Sequence, residues 1–162
     1  MKTAIIIGLV LLASLATAKK ISPLASHKAA SDNRYNVENS WGSSTGNYGG
    51  IWTIGDRVNQ RALEINVGSS DQGRTLLGTM TYQNEGPIGF KAVKNSATGY
   101  QVYNQWGGAN APWNKAGIWS IGSRPTQPVI SWSIKSTDGG KSYQGTCTYK
   151  NEGPIGFIGK RL

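Results

Sequence analysis

Asn84-Glu85-Gly86-Pro87-Ile88-Gly89-Phe90 returns letter for letter as Asn151-Glu152-Gly153-Pro154-Ile155-Gly156-Phe157. A seven-residue word repeated within 162 residues marks a duplicated chain. Each copy holds two glycines, a proline and one charge. Glycine allows positive φ or close backbone approach and proline fixes its own φ, so the word predicts a rigid turn presenting a glutamate.

Working outward, the duplication covers everything from Tyr35. Tyr35-x-Val37-x-Asn39-x-Trp41-Gly42 matches Tyr100-x-Val102-x-Asn104-x-Trp106-Gly107. Past a loop two residues longer in the second copy, Gly50-Ile51-Trp52-x-Ile54-Gly55-x-Arg57 matches Gly117-Ile118-Trp119-x-Ile121-Gly122-x-Arg124. The repeats are thus 35–98 and 99–162. Each reads as about five short strands: Tyr35–Asn39, Ile51–Ile54, Ala62–Val67, Leu76–Tyr82 and, after the heptapeptide, Phe90–Val93. The segment Ser69-Ser70-Asp71-Gln72-Gly73 has turn chemistry. The expected fold is all-β, a single compact antiparallel β-barrel of about ten strands, because closure removes the edges that two separate five-stranded halves would expose.

Residues 1–18 stand apart. Lys2 precedes an apolar run from Ala4 to Leu15, and Ala16-Thr17-Ala18 is a small-x-small cleavage site, the pattern of a signal peptide for a secreted protein. The run is short for a membrane span, which takes about 20 residues, so no membrane insertion is expected. Residues 19–34 are small, polar and basic, and read as a flexible leader. The single cysteine, Cys147, matches Met80 in the other copy, so its position is a packing slot rather than a nucleophile. Net charge is +9, but the basic residues form no block beyond Lys19-Lys20 and Lys160-Arg161, the look of a solvated surface. No nucleic-acid partner is expected, although a basic nucleic-acid- or surface-binding barrel stands as an alternative.

Enzyme chemistry finds little material. The one histidine, His27, lies in the leader, and the acids do not cluster as a metal site requires, so no metal or other cofactor is expected. The remaining catalytic alternative is a glycosidase using Glu85 and Glu152. That chemistry needs two carboxylates in unlike environments, and equivalent positions of a duplication have like ones. Binding is better served. Each copy supplies a Trp-Gly (Trp41, Trp106), an arginine after Gly-x (Arg57, Arg124) and a Glu-Gly-Pro (Glu85, Glu152). An indole face suits the C–H side of a sugar ring, and Arg and Glu suit vicinal hydroxyls. Trp52 and Trp119, inside strands, read as core. An Arg–Glu pair that merely clamps the barrel is the structural alternative at Arg57/Glu85 and Arg124/Glu152.

The ordered set Y-x-V-x-N-x-W-G-G, A-P-W-N, G-x-W-x-I-G-S-R, G-T-x-T-Y and E-G-P-I-G-F resembles the Oscillatoria agardhii agglutinin homologue family of high-mannose-binding lectins, over Tyr35 to the C-terminus. The resemblance implies a ten-stranded barrel of two repeats that binds the branched core of high-mannose N-glycans without calcium. It also implies agglutinating and antiviral activity toward glycoproteins, including viral envelope glycoproteins, by a monomer. Each site of that family joins Trp-Gly-Gly of one repeat to Arg and Glu-Gly of the other. Carried over, one site is Trp106, Gly107 and Gly108 with Arg57, Glu85 and Gly86. The other is Trp41, Gly42 and Ser43 with Arg124, Glu152 and Gly153. Ser43 departs from the family's glycine, and the loop after it is two residues shorter, which sets the second site apart from the first.

Overall fold

The computed structural model describes residues 32–42 and 46–162. Ten strands follow in order: β1 (Arg34–Ser40), β2 (Asn47–Thr53), β3 (Ala62–Gly68), β4 (Thr75–Tyr82), β5 (Glu85–Lys94), β6 (Gly99–Gln105), β7 (Trp113–Ser120), β8 (Val129–Lys135), β9 (Ser142–Tyr149) and β10 (Glu152–Arg161). They form one curled antiparallel sheet in the order β2-β1-β10-β9-β8-β3-β4-β5-β6-β7. The two end strands, β2 and β7, approach one another. Beside them Ser123 Oγ donates to the Gly49 carbonyl at 2.7 Å. The expected ten-stranded all-β barrel is therefore present, with a side-chain seam where the ladder ends.

That order mixes the repeats. β1 and β2 of the first copy pair with β10, β9 and β8 of the second, and β6 and β7 of the second copy extend β3, β4 and β5 of the first. Each half of the sheet thus borrows its outer hairpin from the other repeat.

Period-two alternation makes the strands. Tyr35, Val37 and Asn39 of β1 point inward while their neighbours face out. A bulge between Val37 and Glu38, repeated between Val102 and Tyr103, lets β2 and β7 bend. The core is aromatic. Trp52 packs at 5.3 Å from Trp132 and 5.0 Å from Phe157, and Phe90 lies 5.3 Å from Trp119, all tilted or edge-to-face. Trp52 and Trp119 are fully buried, as their strand positions imply. Each such side chain contributes about 1.5–3 kcal/mol by leaving water. Cys147 is buried too, with burial pushing its thiol up to about 11, and Asn39 Nδ2 donates to its sulfur at 3.6 Å. Asn104 does the same to Met80 Sδ at 3.4 Å, so the two sulfurs occupy equivalent packing slots.

The loop expected at Ser69–Gly73 is a hydrogen-bonded turn. Ser69 Oγ donates to Asp71 Oδ1 at 2.8 Å and accepts from the Gly73 amide at 2.8 Å. Ser136, Asp138 and Gly140 repeat it. Hydrogen bonds from Ser142 hold the Asp138 carboxyl down to about 2.

Three boundaries differ from expectation, the first being β2, which begins at Asn47 rather than Ile51. The heptapeptide is mostly strand rather than turn: the reversal is made by Gln83 and Asn84, the latter at φ 66°, and β5 begins at Glu85. A register irregularity beside Glu85 is followed by inward Ile88 and Phe90, so these two letters of the word serve the core while Asn84, Glu85, Gly86 and Pro87 lie at the surface. Gly86-Pro87 and Gly153-Pro154 are both cis. The barrel also starts before Tyr35. Asn33 is fully buried and its carbonyl accepts from the Ile54 amide at 3.0 Å, and Arg34 opens β1. Residues 19–31 of the expected leader and the expected signal peptide lie outside the described residues.

Candidate sugar-binding site

Each site is assembled on the carboxylate that opens the second long strand of a repeat. Glu85 stands at the start of β5, where the irregular register turns it out of the ladder. Arg57, from the β2–β3 loop, donates through Nη1 to Glu85 Oε1 at 2.5 Å. Trp106, just after β6, donates through Nε1 to Glu85 Oε2 at 2.8 Å. One carboxylate therefore ties an arginine of its own repeat to an indole of the other. Trp106 remains 38% exposed, so its ring face is open to a ligand while its edge is fixed.

The support below this constellation is layered. Gln60 accepts from Arg57 Nη1 at 2.5 Å and donates to Glu85 Oε1 and to the Gln83 carbonyl. The Arg57 guanidinium lies 3.8 Å above the centre of the buried Tyr82 ring. The Tyr82 hydroxyl sits 2.8 Å from both Asp56 Oδ1 and Asn104 Oδ1. The Tyr82 hydroxyl is the donor to both, and its one phenolic proton serves one of these acceptors at a time. Burial pushes the Asp56 carboxyl up to about 6, against the lowering effect of the Tyr82 hydrogen bond.

Glycine is demanded at two places here. A Cβ at Gly86 would lie 3.0 Å from Thr81 Cα, and its φ is 123°. Gly108 has φ 97° with open space around it, so conformation rather than crowding selects glycine. Between the two loops runs an open cleft of about 530 Å³ bordered by Glu85, Gly86, Gly89, Gln105, Trp106 and Gly108.

The second site repeats the plan. Arg124 pairs with Glu152, and Trp41 Nε1 donates to Glu152 Oε2 at 3.0 Å. The hydrogen bond from Arg124 holds the Glu152 carboxyl below its usual range. Gln127 accepts from Arg124 at 2.7 Å, and Arg124 stacks 3.9 Å above Tyr149. Three differences stand out. Trp41 is half-buried and packs against the core, unlike Trp106. Tyr149 donates to Asn39 Oδ1 with no carboxylate beneath, because Ser123 replaces Asp56. Ser43 lies outside the described residues, while Gly42, at φ 59°, and Gly153, at φ 121°, are exposed.

The structure thus brings Arg57, Glu85, Gly86, Trp106, Gly107 and Gly108 to one place, and Trp41, Arg124, Glu152 and Gly153 to another. Gln60, Asp56, Tyr82 and Asn104 were not singled out in the sequence, although Gln60/Gln127 and Tyr82/Tyr149 are identical between the copies and carried that signal. The two glutamates have matching partners, which removes the unlike environments that paired-carboxylate catalysis needs.

The family model of the OAA-family lectin sugar binding domain matches residues 33–95 and again 98–162. The chain belongs to the OAA-family lectins. Lectin SfL-1 of Solieria filiformis is 54% identical over 130 residues, covering 79% of this chain and 49% of its own. Lectin OAA of Planktothrix agardhii is 52% identical over 130 residues, 79% of this lectin and 98% of that one. This lectin therefore spans about half the length of the first relative and nearly all of the second. Among solved structures, the Myxococcus xanthus hemagglutinin in complex with α3,α6-mannopentaose superposes with TM-score 0.76 at 50% identity. It covers 78% of this chain and 48% of its own. The family is one of sugar-binding proteins, not enzymes.

Proposed function

We propose that this lectin is secreted and binds the branched mannose core of high-mannose N-glycans, without calcium, through two sites on one monomer. Bound twice, it cross-links glycoproteins, viral envelope glycoproteins among them, and this gives agglutination and antiviral activity. The observation that carries the reading is the carboxylate clamped between arginine and indole beside an open cleft, built twice from opposite repeats. The indole takes the apolar face of a hexose, and the clamped carboxylate and guanidinium take vicinal hydroxyls. A relative crystallised with a mannopentaose supports the sugar class. Calcium independence is supported by the carboxylates themselves: both oxygens of each already accept from arginine and indole. Secretion is supported by the signal-peptide pattern of residues 1–18.

Two sites on one rigid body raise the effective concentration for a second contact on a multivalent glycoprotein, so avidity exceeds single-site affinity by ~10²–10⁴. A glycan array run with and without a chelator tests the reading. High-mannose structures should be retained equally in both conditions. Retention of no mannose structure, or affinity that falls steeply with salt and ignores mannose competition, would overturn it.

A further inference from the structure

Gln105, the last residue of β6, uses the two ends of its side-chain amide differently. Its Nε2 donates to the Ala111 carbonyl at 2.8 Å and to the Ala109 carbonyl at 3.3 Å, closing the loop that carries Trp106. An amide nitrogen has two protons, so both donors are engaged and the orientation of the group is set. Its oxygen is thereby held on the other side. A methyl group at Gly89 would stand 2.9 Å from Gln105 Cβ and 3.0 Å from Gln105 Oε1, so the side chain lies across Gly89. Among the described residues none donates to that oxygen.

Gly89 pairs with Gln105 on one side and with Thr79 on the other. Neighbouring strands lie about 4.8 Å apart. Gln105 leans over the middle strand, so its oxygen and the Thr79 side chain stand roughly one such spacing from each other. Thr79 is exposed, and its hydroxyl has no partner among the described residues. Both residues border the cleft that also holds Glu85 and Trp106. A fixed acceptor and a rotatable hydroxyl at that spacing leave room for one ligand hydroxyl between them, donating to Gln105 and accepting from Thr79.

We propose that Gln105 and Thr79 are binding residues of the first site, and that together they take one hydroxyl of the mannose glycan held on Glu85 and Trp106. The inference rests on the first site binding such a glycan. The loop bonds fix the amide before the glycan arrives, so little side-chain freedom is lost on binding. The second site keeps the threonine as Thr146 but has Ser40 where Gln105 stands, across from Gly156. A hydroxyl on one carbon lacks the reach of the longer amide and makes no acceptor of fixed direction. The two sites then read different hydroxyls of the same glycan.

The test uses the full chain with the second site silenced by Glu152→Ala, titrated with α3,α6-mannopentaose and with its monodeoxy analogues, one mannose hydroxyl removed in each. Gln105→Lys keeps a donor for the loop carbonyls and offers no acceptor. It should weaken the parent glycan about three- to tenfold, the loss of one net hydrogen bond. One analogue should lose that much with Gln105 in place and nothing further with Gln105→Lys, because the same bond is then missing from either partner. Thr79→Val removes the other hydroxyl and suits a strand. It should weaken the parent about two- to threefold and leave that same analogue unaffected. If Gln105→Lys weakens the parent and every analogue alike, the residue only supports the loop and the proposal is overturned. Parent affinity unchanged by both substitutions overturns it too. If the parent glycan moves neither the Trp106 nor the Trp41 indole resonance in the unaltered chain, the sugar-binding reading itself fails, and the proposal with it.

Discussion

Arg57 and Trp106 belong to different repeats and hold opposite oxygens of one carboxylate, that of Glu85. The ring and the guanidinium are thereby fixed relative to each other before any sugar arrives, and the site loses little side-chain freedom on binding.

Removing the shared carboxylate should therefore release both partners. Glu85→Ala is expected to weaken mannose-glycan binding at the first site by ~10–100-fold, the scale of charged hydrogen bonds. Calorimetry with a soluble glycan would show one of two binding events lost. Glu85→Ala with Glu152→Ala should abolish agglutination, and full agglutination by that pair would refute the site assignment.

The two tryptophans should separate stability from binding. Trp106 is exposed, whereas Trp41 packs on the core. Trp106→Ala is expected to cost binding with under ~1 kcal/mol of stability, while Trp41→Ala costs binding and about 2 kcal/mol or more. Denaturant titration of both variants checks the difference in midpoint.

Position 108 isolates the effect of the Gly-to-Ser change between the copies. Gly108→Ser places a side chain at φ 97°, at a strain of ~1–3 kcal/mol. The expected result is a first site weakened several-fold with the second untouched, read by the Trp106 and Trp41 indole resonances.

Acid should act on the first site's foundation with a defined sign. The Asp56 carboxyl is raised from 3.8 to about 6, so the folded state keeps its proton after the unfolded chain has released it. Stability contributed by this group is full below about pH 4, falls as pH rises toward 6, and is flat above. Asp138, lowered to about 2, acts oppositely: its contribution is present above about pH 4 and lost as pH falls toward 2. Asp56→Asn keeps an oxygen that can accept from the Tyr82 hydroxyl and removes the titrating carboxyl. It should abolish the decline between pH 4 and 6 and raise stability at pH 7 by on the order of 2 kcal/mol. Thermal melts across that range test it, and an unchanged slope would refute the assignment.

Cys147 should resist thiol reagents in the native protein and react fully in denaturant, since burial both shields it and raises its thiol. Rapid native labelling would show that the slot opens.

Much of this was legible in the residues. The copies align through Trp, Arg and Glu, so which of these residues would cluster was readable by position, and alternation in Tyr35–Asn39 or Leu76–Tyr82 marked strands directly. Hidden were features that depend on three-dimensional register. The heptapeptide looked like a turn because Gly86 and Pro87 are turn residues, yet a strand irregularity accommodates both, and Ile88 and Phe90 follow into the core. Asp56 differs from Ser123 by one letter, and nothing local said that its carboxyl would be buried against Tyr82.

The lending of hairpins between repeats has a consequence for origins. Neither copy, alone, can complete a sugar pocket, since its tryptophan serves the carboxylate of its neighbour. A single ancestral unit would have had to pair with itself, each molecule reaching across to finish the other's pocket. Fusion of two such units would turn that partnership into one polypeptide. Once joined, each pocket would be free to drift from its twin.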